Sequence, residues 1–263
     1  MLVHAYFTNG FFPWAKLFLE SFKFHNGEEM KVVLSTRELT DGEVEELYGL
    51  YKNLVVQNNS FDFEMMAKTA GVSVKKLLKL KSEIELNHVT EKNKVWKLMI
   101  AADDRVKSTF GVMKEYQDEG FMFHSDIDMY IRAPLTELFD EIKKHDISIR
   151  LRLHSKLNRK TMIGIQGYRL CKRTFKYLQK WIKYIDDVAP KDRPLGYGQT
   201  SSYYAYLDVI DYVDWWSVPR RFAAPQMYDG DIIWAGNTPK GKVKNLELCR
   251  NDFDKIKEGI SNG

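Results

Sequence analysis

Two rhythms of apolar and polar positions alternate along the chain. Short apolar runs, "LVHAYFTNG", "KVVLST" and "LVVQN", have the near-continuous hydrophobicity of strands covered on both faces. Between them, apolar residues recur every three or four positions. "PWAKLFLESFKFHNG" reads as a helix with proline in its first turn and glycine just past its end, and "LTDGEVEELYGLYKN" as a helix with an acidic start. The first 58 residues thus predict a β-α-β-α-β order, half of a doubly wound sheet. The first turn lacks both GxGxxG and GxxxxGK, which argues against an ordinary dinucleotide fold or a P-loop NTPase.

From about 61 to 92 the pattern becomes helical and lysine-rich, "FDFEMMAKTAGVSVKKLLKLKSEIELNHVTEK", and reads as an insertion into the sheet. Its portion "MAKTAGVSVKKLLKL" is similar to the helix-turn-helix of bacterial repressors over some 15 residues, with Ala67, Gly71, Val72 and Leu77 near the required spacing. A DNA reader, however, forms its own compact unit, and this segment interrupts a sheet. The plainer reading is a solvated amphipathic helix with Lys75, Lys76, Lys79 and Lys81 outward; the other is a basic face for peripheral contact with an anionic membrane or acceptor. A long helical pattern, "EKNKVWKLMIAADDRVKSTFGVMKEYQDEG", follows, and delivers the chain to "GFMFHSDIDMYI". There a strand of Phe121, Met122 and Phe123 runs out into Asp126 and Asp128, at the sheet end where open α/β folds bind ligands.

Composition narrows the possible functions. The 263 residues are 44% hydrophobic and 13% aromatic, enough for a sizeable core. A net charge of +4, spread along the chain, calls for no nucleic-acid partner. Cys171 and Cys249 lie far apart without metal-type spacing, as in a reducing compartment. Asn9, Gly10, Pro13, Lys16 and Glu20 break up any apolar core in the first 24 residues, so the expected location is the cytoplasm, with no signal peptide or span there.

The βαβαβ half, the long helix and "HSDIDMYI" together resemble the DxD-bearing, GT-A-fold glycosyltransferases that use nucleotide sugars. The later order fits as well: "ISIRLRL" and "MIGIQGYRL" as strands, "KRTFKYLQKWIKYIDD" as a helix, "PLGYGQTSSYYAYL" opening another, and "IIWAGNTPKGK" as a closing loop that contacts the diphosphate. The resemblance implies a mixed, mostly parallel α/β sheet flanked by helices. It also implies one catalytic domain over 1–263, with a nucleotide-binding half at 1–131 and an acceptor-side half at 132–263. The implied reaction moves a hexose from a nucleotide diphosphate sugar to a glycan or lipid-linked acceptor, as in surface polysaccharide synthesis, with Mn²⁺ or Mg²⁺.

The chemistry accounts for the acids. Charge grows on the departing diphosphate, a divalent cation neutralises it as a Lewis acid, and hard cations prefer oxygen ligands. Strand periodicity turns Asp126 and Asp128 to one side. In the resemblance, Asp128 ligates the metal and Asp126 contacts ribose or metal-bound water, with Asn237 a further ligand candidate. Thr8 and Asn9 at the first strand end, Arg37 at the second, Lys97 on the helix before the motif and Ser125 beside it match donor-binding positions. Thr8, Asn9 and Arg37 read equally well as turn residues, and Ser125 as a turn-stabilising hydroxyl. Asn237, Lys240 and Lys242 stand in the closing loop where many relatives place a histidine; all six histidines here fall at or before His154. Strand alternation turns His124 away from Ser125, and it reads as a structural residue.

The usual position of a general base holds Gln199, which cannot accept a proton; this leans toward retention, with Asp192, Asp229 or Asp231 as displaced bases otherwise. Tyr197, Trp215, Trp216 and Trp234 are either sugar-stacking or core aromatics. Two other enzyme classes share features. A DxD phosphatase or phosphotransferase needs the acids on its first strand and Thr or Val where Tyr130 stands, and a sugar nucleotidyltransferase needs a glycine-rich basic loop where this chain has "TNGFFPW".

Overall fold

The computed structural model describes residues 1–79, 103–194, 196–224, 230–235 and 242–261. The first half follows the sequence pattern closely. β1 (Leu2–Thr8), β2 (Lys31–Arg37) and β3 (Leu54–Asn59) are joined by α1 (Phe12–Asn26) and α2 (Asp41–Leu50). Pro13 sits in the first turn of α1, where its missing N–H costs no hydrogen bond, and Gly27 ends the helix at φ 75°. Thr40 and Glu43 close a capping box on α2: each side chain bonds the other's backbone N–H, satisfying two donors that the helix start leaves open.

β4 (Phe121–Asp126) inserts beside β1, giving the seven-strand order β3-β2-β1-β4-β7-β6-β8 with β6 (Ile147–Leu151), β7 (Thr161–Arg169) and β8 (Trp215–Trp216). β7 alone runs against its neighbours β4 and β6; the other four pairings are parallel. The sheet is therefore mixed and mostly parallel. β5 (Met129–Ile131) and β9 (Ile233–Ala235) form a separate antiparallel pair.

Helices cover both faces. Apolar residues of α1, α2 and α5 (Thr136–Ile142) pack with Val3, Ala5, Phe7 and Phe123 on one side. Those of α4 (Arg105–Glu115), α6 (Lys172–Asp186) and α7 (Tyr197–Leu207) pack with Leu2, Met122 and Ile147 on the other. Strand alternation divides each strand between these two cores. The last helix, α8 (Lys242–Ser261), lays Cys249 and Phe253 against Trp14 and Leu17 of α1. No described helix is long and apolar enough to cross a membrane.

The insertion builds a small core of its own. α3 (Phe63–Ala70) is capped by Asp62, which accepts from the Met65 N–H at 2.8 Å, and ends on Gly71 in the left-handed region at φ 65°. Residues 74–79 are helical again, and Leu77 packs on Phe61, Met66 and Ala67. A helix, a tight turn and a second helix are thus present, with Lys75, Lys76 and Lys79 exposed. Lys81 lies outside the described residues.

Candidate active site

The site grows out of one chain reversal. α4 runs antiparallel to β4, so the start of the helix lies over the carboxyl end of the strand. Asp103, Asp104 and Arg105 stand at that start, and each pairs with a different part of the fold. Arg105 donates to Asp126 at 2.6 Å. Asp104 accepts from Arg37 at 2.8 Å and from the Tyr6 hydroxyl at 2.5 Å. Asp103 accepts from Arg193, which is 1% exposed, at 2.5 Å.

Sheet register explains the rest. Tyr6 lies directly beside Asp126, and Thr8 beside Arg37, on neighbouring parallel strands. Asn9 follows Thr8 in a short 3-10 turn. The sheet therefore gathers Thr8, Asn9, Arg37 and Asp126 along one edge. Burial, reinforced by the Asp104 carboxylate, pushes the Tyr6 phenol far above its ordinary range, so it stays a neutral donor. Sequence reasoning missed Tyr6, Asp104 and Arg105. The run "DDR" was the available signal, three charges in a row entering an amphipathic helix.

β4 ends at Asp126, and residues 127–128 form the turn that leads into β5. The period-two argument for the two carboxylates therefore stops at Asp126, and Asp128 is placed by the turn instead. Ser125 is buried, and its hydroxyl donates to the Asp126 carbonyl at 3.0 Å, which holds that turn. Across from Asp126, Gly164 of β7 lets these side chains pack against its backbone: a Cβ there would lie 2.9 Å from Asp126 Oδ2 and 2.4 Å from Met129 Cε, so the position is already filled.

Gln199, in the first turn of α7, is anchored to the entry of β7. With its side-chain amide turned so that the nitrogen faces acceptors, Gln199 donates to the carbonyls of Asn158 at 2.8 Å and Thr161 at 3.0 Å, and its backbone carbonyl accepts from the Thr161 hydroxyl at 2.7 Å. Asp192 is exposed at the end of a 3-10 turn beside Arg193. Asp231 is buried, and its backbone carbonyl accepts from Arg132 at 3.4 Å. Lys242 opens α8 and so belongs to a helix, not to the closing loop as the sequence suggested: the chain must enter α8 there because its apolar positions pack on α1. Lys97, Asp229, Asn237 and Lys240 lie outside the described residues.

Tyr197 and Trp234 are buried, the first donating to the Tyr184 carbonyl at 2.8 Å, so neither offers a face to a sugar. Trp215 and Trp216 are half-buried. His124 is buried as expected, its Nδ1 3.0 Å from Nδ1 of His4, and burial holds both rings well below their usual range.

The donor set suits a hard divalent cation in part. Asp126 and Asp128 supply carboxylate oxygens at a strand end, although Asp126 already meets Arg105 through Oδ1 and packs Oδ2 against Gly164. Among the described residues no three acids, histidines or cysteines cluster as a complete metal site.

No protein-family model matches the chain, and no curated protein matches it. Solved structures do. The galactosyltransferase LgtC, determined in complex with donor and acceptor sugar analogues, superposes with a TM-score of 0.55 at 12% identity, covering 95% of this chain and 96% of that one. The glycosyltransferase GlyE of Streptococcus pneumoniae TIGR4 gives 0.58 at 11% identity, covering 99% of this chain and 63% of its own. The bifunctional glycosyltransferase WbbM gives 0.51 at 11%, with 96% of this chain matched to 44% of that protein. The chain thus spans under two thirds of the latter two. These likenesses show that it has the GT-A-type fold of its glycosyltransferase neighbours.

Proposed function

We propose that this chain is a metal-assisted glycosyltransferase that moves a hexose from a nucleotide diphosphate sugar to a glycan or lipid-linked acceptor. The observation that carries the reading is the place of Asp126. It ends β4, where the parallel strands β3-β2-β1-β4 meet the antiparallel β7, in a fold shared with glycosyltransferases. A Mn²⁺ or Mg²⁺ bound there would supply Lewis-acid neutralisation of the leaving diphosphate, with Asp128 as ligand, Asp126 as ligand or ribose contact, and Asn237 a third candidate. Thr8, Asn9 and Arg37 would bind the nucleoside, with Lys97, Ser125, Lys240 and Lys242 as further donor contacts.

Gln199 is suited to positioning, not to proton transfer: its amide is committed to two backbone carbonyls near the strand that faces Asp126. That favours retention, in which the leaving phosphate oxygen itself takes the acceptor proton. Asp192 and Asp231 are the bases an inverting reaction would use. Surface polysaccharide assembly in the cytoplasm is the setting we assign to it.

The test is hydrolysis of UDP-, GDP- and CMP-sugars with and without Mn²⁺, by the wild type and by Asp128→Ala. Losing several kcal/mol of charge stabilisation should cost Asp128→Ala about a thousandfold in metal-dependent turnover, with an unchanged circular dichroism spectrum. Full turnover by that variant would overturn the reading.

A further inference from the structure

We infer that the acceptor carries a phosphate-type anion, held by arginines at the carboxyl edge of β6 and β8. This rests on the transferase reading above and names the chemistry of its second substrate.

The segment "ISIRLRLHSKLNRK", residues 147–160, contains Arg150, Arg152, His154, Lys156, Arg159 and Lys160 and no acid. β6 runs in the same direction as β4, since both oppose β7. The register pairs Ser125 with Ile165, Arg150 with Met162 and Leu151 with Thr161, so Arg150 and Arg152 emerge at the sheet edge that holds Asp126. Two strand spacings separate β4 from β6, about 10 Å. The loop then folds back: the Arg152 N–H donates to the Lys160 carbonyl at 2.7 Å, which brings Arg159 toward Arg152. Arg150 reaches the other way and donates to the Ala223 carbonyl at 2.6 Å, just past Arg220.

These cations crowd one another. Burial and then Arg152 and Arg220 lower the proton affinity of Arg150; burial and then Arg159 lower that of Arg152; only Asp231 acts on Arg150 in the opposite sense. Among the described residues no acid forms an ion pair with Arg150, Arg152 or Arg159, and Nε of Arg152 is buried without a partner. Like charges held together with an unmet donor await an anion, and guanidinium forks match phosphate oxygens two at a time. Leu151–Ser155 line an open depression of about 390 Å³ beside Arg152.

Position assigns the anion to the acceptor. The nucleotide side lies at the ends of β1 and β2, and the arginines lie on the opposite side of Asp126. A second substrate entering there would set its hydroxyl toward the donor sugar while its phosphate sits on the guanidiniums. Leu153, 50% exposed, and Leu157 stand on the same loop, where an acyl or polyprenyl carrier would lie. A soluble sugar phosphate and a lipid phosphate share this chemistry.

The experiment titrates glucose 6-phosphate, glucose, UDP and GDP with Mn²⁺, and vesicles of phosphatidylglycerol or phosphatidylcholine into the wild type, Arg152→Gln/Arg159→Gln and the charge-keeping Arg152→Lys/Arg159→Lys. We expect glucose 6-phosphate or phosphatidylglycerol to bind at least tenfold more tightly than its neutral counterpart. The Gln variant should lose that preference, the Lys variant should keep most of it, and nucleotide affinity should not change. Which anion binds identifies a soluble or a lipid-linked acceptor. Absence of both interactions, an unaffected Gln variant, or nucleotide affinity falling in step would overturn the inference. No nucleotide binding by the wild type, with the anion still bound, would instead overturn the transferase reading and the acceptor role with it.

Discussion

Arg105, the first residue of α4, donates from Nη1 to Oδ1 of Asp126, the last residue of β4, at 2.6 Å. Both groups are partly shielded from water, Arg105 at 12% and Asp126 at 28% side-chain exposure, so the pair is better held than a surface ion pair. The contact fixes Oδ1, while Oδ2 packs against Gly164, where a Cβ would lie 2.9 Å away. In the proposed site Arg105 is therefore a positioning residue for Asp126.

Arg105→Lys keeps the charge but loses the planar fork, and should reduce donor turnover about tenfold; Arg105→Gln should reduce it about a hundredfold. Because the residue acts through Asp126, the apparent Mn²⁺ affinity should fall with kcat, with the Lys variant between wild type and Gln. Metal titrations of donor hydrolysis read both quantities. Unchanged Mn²⁺ dependence in Arg105→Gln would remove Arg105 from the site.

Gly164→Ala tests this close packing. The added methyl meets the end of the Met129 side chain and the Asp126 carboxylate, both of which can move, so the protein should fold with a loss of about 1–3 kcal/mol. Shifting Oδ2 should lower donor turnover by more than tenfold, a larger effect than so small a stability loss would produce. Gly167→Ala is the control: its methyl would strike Ile142 at 2.5 Å, in the same core as Met129 but without touching Asp126, and should cost stability without a specific loss of turnover.

The parts of the fold that were legible in the sequence are those set by local rules. Pro13, Gly27 and the Thr40–Glu43 box punctuate the first helices, and continuous apolar runs mark β1, β2 and β4. What could not be read depends on contacts between residues far apart in the chain. Arg37 meets Asp104 across 67 positions, and Arg193 meets Asp103 across 90. β9 is three residues long and exists because β5 offers it a partner. Asp128 misled strand reasoning because the strand ends at Asp126, a boundary that depends on the turn and not on residue type.

Asp103 and Arg193 form a buried pair in which Arg193 also donates to the carbonyls of Val188 and Ile185, each at 2.7 Å. Asp103→Ala would leave a guanidinium 1% exposed without its counter-charge, at a cost of about 3–5 kcal/mol. Chemical denaturation should show that loss. In a double-mutant cycle with Arg193→Met, removing both partners should cost less than the two single losses combined, because neither charge is then stranded.

The His4 and His124 rings make stability depend on pH. Burial lowers His4 to about 3 and lowers His124 as well, so both are neutral in the fold, with His4 Nε2 also 3.1 Å from the Ser35 hydroxyl. In the unfolded chain they titrate near 6.5, so below that pH the unfolded state binds more protons than the native state and stability falls as pH drops. The loss grows between about 6.5 and the folded value near 3, at up to about 1.4 kcal/mol per pH unit for each histidine. Denaturation midpoints from pH 7 to pH 5 should therefore decline steeply, while carboxylates, which titrate lower, add little in that range. Burial lowers His25 as well, so His124→Leu removes one of several such contributions and its slope should be shallower than that of the wild type, whatever its stability at pH 7. Equal slopes would mean that the rings are already charged, or already solvated, in the native protein.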